Sequence, residues 1–487
     1  MKLPFIVHFE MKLLQILTRF PRILGTYCPL RIPSRAMGKI TRKLELVLSL
    51  FPSLVLANLA MPALAHAETI SIQALAHSNL QFIAKEQIAV ADGIYLSGEW
   101  PTTVSSTIVP LMLGVGNPTG SDPEPSAFTS ASVANQLAVI YLDHPEFNQI
   151  PSLIKKAIPT LARYQEGELY NFYPARIWKG VRVHQTAAMQ LLPIWKGFTN
   201  IPEDADTTSV SYTARFYDQA FHGDKEMPIP AAVLKSFSSY RDVKRSPEYY
   251  DAGEGLVNTG AFMTWQYDEN DPRMPRAYFA EPEAGTRIPF NHNDVDCIVN
   301  MNVLRLLALT KSSQLNGRAQ ACKVLNYFIE QEKYSSCGIY YPNTYNFAYS
   351  AALVDEAGET CLESRADKMV GFILRHQTDD GGWFNDDNLW LGDRVHATAF
   401  ALFALARFAN PADAKARQAL LKARHFLLEK LSRSPAGDLY WQGEVFFTDT
   451  AAARSLVNWR SDSFTTAVAL SALFKTEQAL KSQTGLQ

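Results

Sequence analysis

Asp393-Arg394-Val395-His396-Ala397-Thr398-Ala399 repeats, with small changes, the earlier phrase Val181-Arg182-Val183-His184-Gln185-Thr186-Ala187, and each opens an apolar helical run. Related openings, Asp294-Val295-Asp296-Cys297 and Asp462-Ser463-Phe464-Thr465-Thr466-Ala467, precede two more such runs. A phrase returning at a spacing of roughly 50 residues marks stacked supersecondary units. The unit is clearest over residues 362–409. Its first part, 362–377, sets Met369, Val370 and Ile373 at helical spacing beside Glu363, Arg365, Lys368 and Arg375, an amphipathic helix. Asp379-Asp380-Gly381-Gly382-Trp383-Phe384 then turns the chain. Residues 398–407 follow, apolar on nearly every face, which marks a buried helix.

The same order of outer amphipathic helix, aromatic glycine turn and inner buried helix recurs along the chain. Residues 412–433 lead through Gly437-Asp438-Leu439-Tyr440-Trp441 to 465–474, and 318–332 lead through Gly338-Ile339-Tyr340-Tyr341 to 347–354. Earlier, 150–164 lead to an inner run at 184–195, and 70–88 lead past Trp100 to one at 105–114. A further inner run, 297–309, follows an insertion at 246–291 rich in Pro and Gly. About six hairpins closing on themselves predict an all-α (α/α)6 toroid, since inner helices this apolar need cover on both sides. Helical runs at 127–142 and 204–222 fall outside this alternation. Within the insertion, residues 260–267 read as an extended segment, a lid or rim hairpin.

The chain has 487 residues, 47% of them hydrophobic, and a net charge of -2. That balance argues against nucleic acid, which calls for a concentrated basic face. From Met37 the text reads as a secretory signal: Lys39, Arg42 and Lys43, an apolar stretch over 46–60, and Ala65 and Ala67 at small-x-small positions. The expected organisation is therefore an over-long start at 1–36, a signal peptide at 37–67, one toroid domain at 68–480 with its insertion at 246–291, and a tail at 481–487. Export to the periplasm or medium follows. Four cysteines remain after the leader, Cys297, Cys322, Cys337 and Cys361. In an exported chain they permit two disulfides, with Cys337–Cys361 the expected pair; plain burial of Cys322 is the alternative.

The turn Gln377-Thr378-Asp379-Asp380-Gly381-Gly382-Trp383 and the following Thr398-Ala399 with Ala401-Leu402 resemble the repeats shared by class II terpene cyclases (squalene–hopene and oxidosqualene cyclases) and protein prenyltransferase β-subunits. The resemblance covers roughly residues 310–476 and speaks for the fold rather than for a reaction. Such cyclases carry Asp-x-Asp-Asp-Thr-Ala, or an Asp-Cys-Thr-Ala version, at an inner helix start, with the central Asp as proton donor. Two stretches are similar: Asp204-Ala205-Asp206-Thr207-Thr208-Ser209 and Asp294-Val295-Asp296-Cys297. Both depart from the pattern, Thr207 or Cys297 standing where the last Asp would be. Aligning the repeated openings puts His184, Asp296, His396 and Phe464 together, with Arg182, Asp294, Arg394 and Asp462 two residues earlier. By that alignment Asp296, assisted by Asp294, is the expected acid, and Asp206 begins an outer helix at the far end.

Acid-initiated carbocation chemistry needs a carboxyl kept protonated, which burial and a neighbouring carboxylate both favour. It also needs aromatic faces for the cation, for which Trp383, Trp390, Tyr340, Tyr341, Trp441 and Phe446 stand on turns at that end. An Asp opening a helix is equally the favoured N-cap, so Asp204, Asp206, Asp294 and Asp296 also admit a purely structural role. The same mouth suits a glycan: Asp294 or Asp296 as general acid, Asp386 or Asp387 as base, Trp383 and Trp441 as stacking platforms. A zinc ion is a third option, held by Asp296, Cys297 and His396 with His184 or His292; otherwise no cofactor is expected. The expected partner is a lipid-like small molecule or a glycan, with a peripheral membrane contact compatible with the former. An exported binding module using the insertion as its contact surface is the non-catalytic reading.

Overall fold

The computed structural model describes residues 70–106, 122–186, 200–223, 228–243, 256–275, 281–289, 292–385, 393–448 and 457–482. Its helices, in chain order, are α1 (Ile72–Glu86), α2 (Ala127–Asp143), α3 (Ile150–Ala157), α4 (Ala205–His222), α5 (Ala231–Ser239), α6 (Cys297–Leu309), α7 (Arg318–Gln331), α8 (Asn346–Glu356), α9 (Ala366–Arg375), α10 (Arg394–Phe408), α11 (Ala414–Glu429) and α12 (Asp462–Lys481), with one further turn at Tyr334–Cys337. The even-numbered helices pack side by side in the order α2, α4, α6, α8, α10, α12, and α12 returns to α2. That is a closed inner ring of six; α1, α3, α7, α9 and α11 back it from outside, and α5 packs Phe237 and Ser236 against Phe262 and Gln266. The chain forms an all-α toroid.

Composition explains which helix goes where. In α10 every residue from Val395 to Leu405 is buried, and in α12 every residue from Ser463 to Phe474. Only a position walled on both sides satisfies such helices. In α9, by contrast, only Met369 and Ile373 are buried, and Lys368 pairs with Glu330 of α7 at the surface. Helix ends follow local chemistry. Asp204 caps α4 by accepting from the Thr207 N–H, and Gly223 ends it in the left-handed region at φ 80°.

The first two inner helices are not those the alternation suggested. The expected run 105–114 begins as strand β1 (Thr103–Ser106), and its remainder lies outside the described residues. The expected run at 184–195 begins in a hairpin instead. Strand β3 (Ala175–Trp178) pairs antiparallel with β4 (Val181–His184), whose alternating Val181-Arg182-Val183-His184 is a strand pattern; residues 187–199 are not described. The inner ring uses α2 and α4 there, the two runs that had fitted no unit. Strand β2 (Asp122–Pro123), β1, β6 (Val457–Arg460) and β5 (Val445–Thr448) make a sheet in the order β2-β1-β6-β5, which joins the start of the toroid to its end.

Residues 260–266 are not a lid. They are buried throughout and thread between the starts of α4 and α6: Ala205 N–H donates to the Thr264 carbonyl at 2.7 Å, and Thr264 N–H to the Asp294 carbonyl at 2.9 Å. The disulfides also differ from the expected pair. Cys297 at the start of α6 joins Cys337, and Cys322 of α7 joins Cys361 ahead of α9. The separations are 40 and 39 residues, so chain-entropy arguments give each bridge about 3–4 kcal/mol. Replacing Cys322 and Cys361 together by Ser is expected to lower urea-unfolding free energy by that amount, and adding reductant to that variant to lower it again.

Candidate active site at the N-terminal mouth of the barrel

One hydrogen bond repeats around the ring and sets its register. The backbone N–H of Trp100, Tyr170, Trp383 and Trp441, each on the turn before an inner helix, donates to Ser130 Oγ, Thr208 Oγ1, Thr398 Oγ1 and Thr466 Oγ1 at 3.0–3.3 Å. Asn300 Oδ1 takes the same part for the Phe262 N–H at 3.0 Å. Counting back two residues places Phe128, Asp206, Ile298, His396 and Phe464 at equivalent points. Counting back four places Ser126, Asp204, Asp296, Arg394 and Asp462 together. The alignment of Asp296 with His396 was thus two residues out, and Asp206 holds that position. It lies in the first turn of inner helix α4, at the mouth rather than the far end.

Asp206 and Asp296 differ in how their oxygens are used. Asp296 Oδ1 accepts from Ile298 and Val299 N–H at 2.6 and 3.1 Å, and Oδ2 from Ile339 and Tyr340 N–H at 2.5 and 3.1 Å. A carboxylate offers about four lone-pair sites, and all are taken by N–H donors. Burial pushes Asp296 up to about 7; the Tyr340 N–H opposes this and the Asp206 charge adds to it. Among the described residues Asp206 accepts two bonds, from Asn302 Nδ2 to Oδ1 at 2.7 Å and from the Tyr341 hydroxyl to Oδ2. Burial raises it to about 6, with Tyr341 and Asn302 holding it down. Two of its lone-pair sites stay open to a proton.

The neighbouring acids complete the cluster. Asp204 is buried; its Oδ1 accepts from Thr207 N–H at 2.5 Å and its Oδ2 has no partner. Burial, and then the Asp206 charge, lift it well above the usual carboxylate range. Asp294 accepts from Thr264 Oγ1 at 2.5 Å and from the Tyr340 hydroxyl at 2.6 Å. Glu203, which the sequence did not single out, is raised by burial to about 7. Asn302 was also missed. It lies on α6, and nothing local in the sequence tells that it reaches α4.

Aromatic rings cover these acids. Phe447 of β5 stacks on Tyr340 at 5.7 Å and Phe172 at 4.9 Å, and meets Tyr341, Trp459 and Phe128 within 5.8 Å. Tyr340, Tyr341 and Phe446 were expected at the mouth; Phe128, Phe172, Phe447 and Trp459 were not. Trp383 and Trp441 are not part of this wall. Both are fully buried, their indole N–H donating 2.8 Å to Ile373 and Leu427 carbonyls in the last turns of α9 and α11. They wedge outer helices onto inner ones, as Trp100 does with the Ile83 carbonyl at 2.9 Å. Trp390, Asp386 and Asp387 lie outside the described residues.

The histidines go separate ways. His184 reaches the rim on β4, its Nδ1 2.8 Å from the Tyr173 carbonyl and its Nε2 3.9 Å from Glu203. His396 is fully buried on α10 with Nε2 2.9 Å from Thr465 Oγ1, and burial lowers it to about 4. Beside it Glu444 accepts from Val395 and His396 N–H at 2.8 and 2.6 Å, capping α10. His292 is exposed at the start of the segment leading to α6. The zinc set does not fit, because the Cys297 sulfur is bonded to Cys337. Among the described residues, the one close-set trio of ligand atoms is Cys322, Glu359 and Cys361, and its two sulfurs are bonded to each other.

No family model and no curated protein matches the chain. Among solved structures, a variant of the type II terpene cyclase MstE from Scytonema, in complex with geranylgeranyl dihydroxybenzoate, matches with a TM-score of 0.52 at 15% identity, over 84% of this chain and 98% of that one. The same cyclase without ligand gives 0.51 over 84% and 99%. A cellobiose 2-epimerase from Spirochaeta thermophila gives 0.48 at 12% identity over 84% and 96%. The likeness is one of fold, the toroid of paired helices.

Proposed function

We propose that the chain is an exported enzyme of the class II terpene cyclase type, which protonates and cyclises an acyclic prenyl or terpenoid substrate. The observation that carries this is Asp206: a buried carboxyl, raised to about 6, with room for a proton and a wall of stacked rings beside it. Asp206, rather than Asp296, is the proposed donor, because Asp296 has every lone pair engaged by backbone N–H. Asn302 and Tyr341 position it. In the proposed step the Asp206 O–H bond breaks and its proton forms a C–H bond on a terminal alkene carbon. The resulting tertiary cation is attacked by the next double bond, and loss of a proton from carbon ends the sequence, so product and substrate have the same mass. Phe128, Phe172, Tyr340 and Phe447 offer ring faces to that charge. The substrate of the cyclase with the same fold, a geranylgeranyl arene, gives the first compound to assay.

Incubating purified protein with geranylgeranyl dihydroxybenzoate and shorter polyprenyl arenes is the test, read by chromatography for an isomer of unchanged mass. No isomer from any of them would remove the reading. Tyr341 sharpens it. Its hydroxyl favours the ionised form of Asp206, so Tyr341→Phe is expected to raise that pKa and move the alkaline limb of the pH–rate profile upward. A profile that does not move would detach Tyr341 from the acid.

The carbohydrate-active reading rested on paired acids and on exposed rings as platforms; two of those rings, Trp383 and Trp441, are buried under neighbouring helices. The binding-module reading drew on the insertion, whose residues 260–266 are buried within the mouth. Export rests on residues 37–67, and two disulfides support it. Terminal sequencing of protein expressed with its leader is expected to find Glu68 first.

A further inference from the structure

The C-terminal end of the barrel holds an opening, at the opposite ends of the inner helices from the acids discussed above. The ends of the inner helices line a half-open cavity of 460 Å³ there. Its lining is mixed: Leu309, Leu353 and Tyr217 lie on the wall with Arg305, and so do the charged Asp143, Glu356, Arg407 and Lys475. The other cations at this end are neutralised. Lys475 lies 2.7 Å from Asp143 and 2.8 Å from Glu356, and Arg407 donates to Asp355 at 2.7 Å.

Arg305 is different. It is 6% exposed; among the described residues its Nη2 reaches only the Tyr217 hydroxyl at 3.3 Å, and its Nε has no hydrogen-bond partner. No carboxylate of the described residues is in salt-bridge contact with it. The guanidinium lies 5.8 Å over the Tyr217 ring, which leaves the Nε edge of its planar fork without a hydrogen bond among the described residues. Helix C-termini attract cations in general, but the last turn of α6 carries no basic residue and Arg305 lies ahead of it. Holding a guanidinium out of water beside a neutral phenol is costly unless an anion completes it.

We infer that this cavity binds a small oxyanion ligand, a carboxylate on a short apolar body, with the carboxylate on the Arg305 fork and the body against Leu309 and Leu353. Bidentate carboxylate recognition is what the guanidinium geometry matches, and Leu309 and Leu353 give the body one apolar side, while Asp143 and Glu356 are engaged by Lys475.

The experiment is calorimetric titration of the full chain with benzoate, acetate and inorganic phosphate. Benzoate is expected to bind saturably, acetate about tenfold or more weakly for want of the ring, and phosphate more weakly than benzoate. Arg305→Met is expected to weaken benzoate at least about tenfold, whereas Asp206→Asn leaves it unchanged, which separates this site from the mouth. Without ligand, Arg305→Met is expected to keep or raise the urea midpoint, since it removes an unpaired buried charge. Absence of saturable binding, equal binding by Arg305→Met, or phosphate binding tighter than benzoate would overturn the assignment. So would a lowered midpoint in that variant, because it would make Arg305 a structural tie.

Discussion

Asp206→Asn is expected to lower turnover of a polyprenyl substrate by about 10²–10⁴-fold while the barrel remains folded. The amide keeps the shape of the carboxyl and still accepts one hydrogen bond, from Asn302 or Tyr341, but it has no acidic proton to give. The accompanying pH dependence has a definite sign. Burial lifts Asp206 from its ordinary 3.8 to about 6, so the fold disfavours its charged form. The stability this group contributes is therefore fully present below its unfolded value near 3.8 and is lost as pH rises through about 6. Asp206→Asn should flatten that part of the stability–pH curve, and wild-type activity should fall over the same window as the acid ionises. Both can be followed, by urea unfolding and by initial rates, between pH 4 and 8. A variant retaining more than about a tenth of wild-type turnover would pass the donor role to Asp204.

Asp296→Ala should fail in the opposite way, as a loss of fold rather than of chemistry. One carboxylate caps the first turn of α6 and holds the Ile339 and Tyr340 amides of the turn before α8. Its removal leaves four buried N–H groups unsatisfied, at a cost on the order of 3–5 kcal/mol. Asp296→Asn should cost less, since one oxygen remains, but its amide nitrogen faces two donors. Expected readouts are a lowered urea midpoint and faster hydrogen exchange at Ile298, Val299, Ile339 and Tyr340. An Asp296→Asn protein as stable as wild type but inactive would return the acid to Asp296 and displace Asp206.

Much of this architecture was legible from residue order. Period and polarity alone identify α10 and α12 as buried and α9 and α11 as outer, because an inner helix of a closed ring must be apolar all round while an outer one needs a single stripe. In the first half of the chain the same signal misled. The phrase Val181-Arg182-Val183-His184 matches the opening of α10 letter by letter at Arg182, Val183 and His184, yet alternation with period two makes it a strand. The clue that would have restored the register is Thr208, which stands where Thr398 and Thr466 stand and takes the same hydrogen bond from the preceding turn.

Residue order by itself therefore determined the toroid, and it pointed to two Asp-x-Asp stretches at helix starts as candidates for a site. Only the tertiary structure decided which aspartate keeps a lone pair open, which tryptophans are wedges, and which cysteines bond. The aspartates and the cysteines depend on residues more than thirty positions away in the chain, such as Tyr341 on Asp206, Ile339 on Asp296 and Cys337 on Cys297. A carboxyl's state is set by the donors that packing brings to it, and no local pattern of letters records where those donors come from.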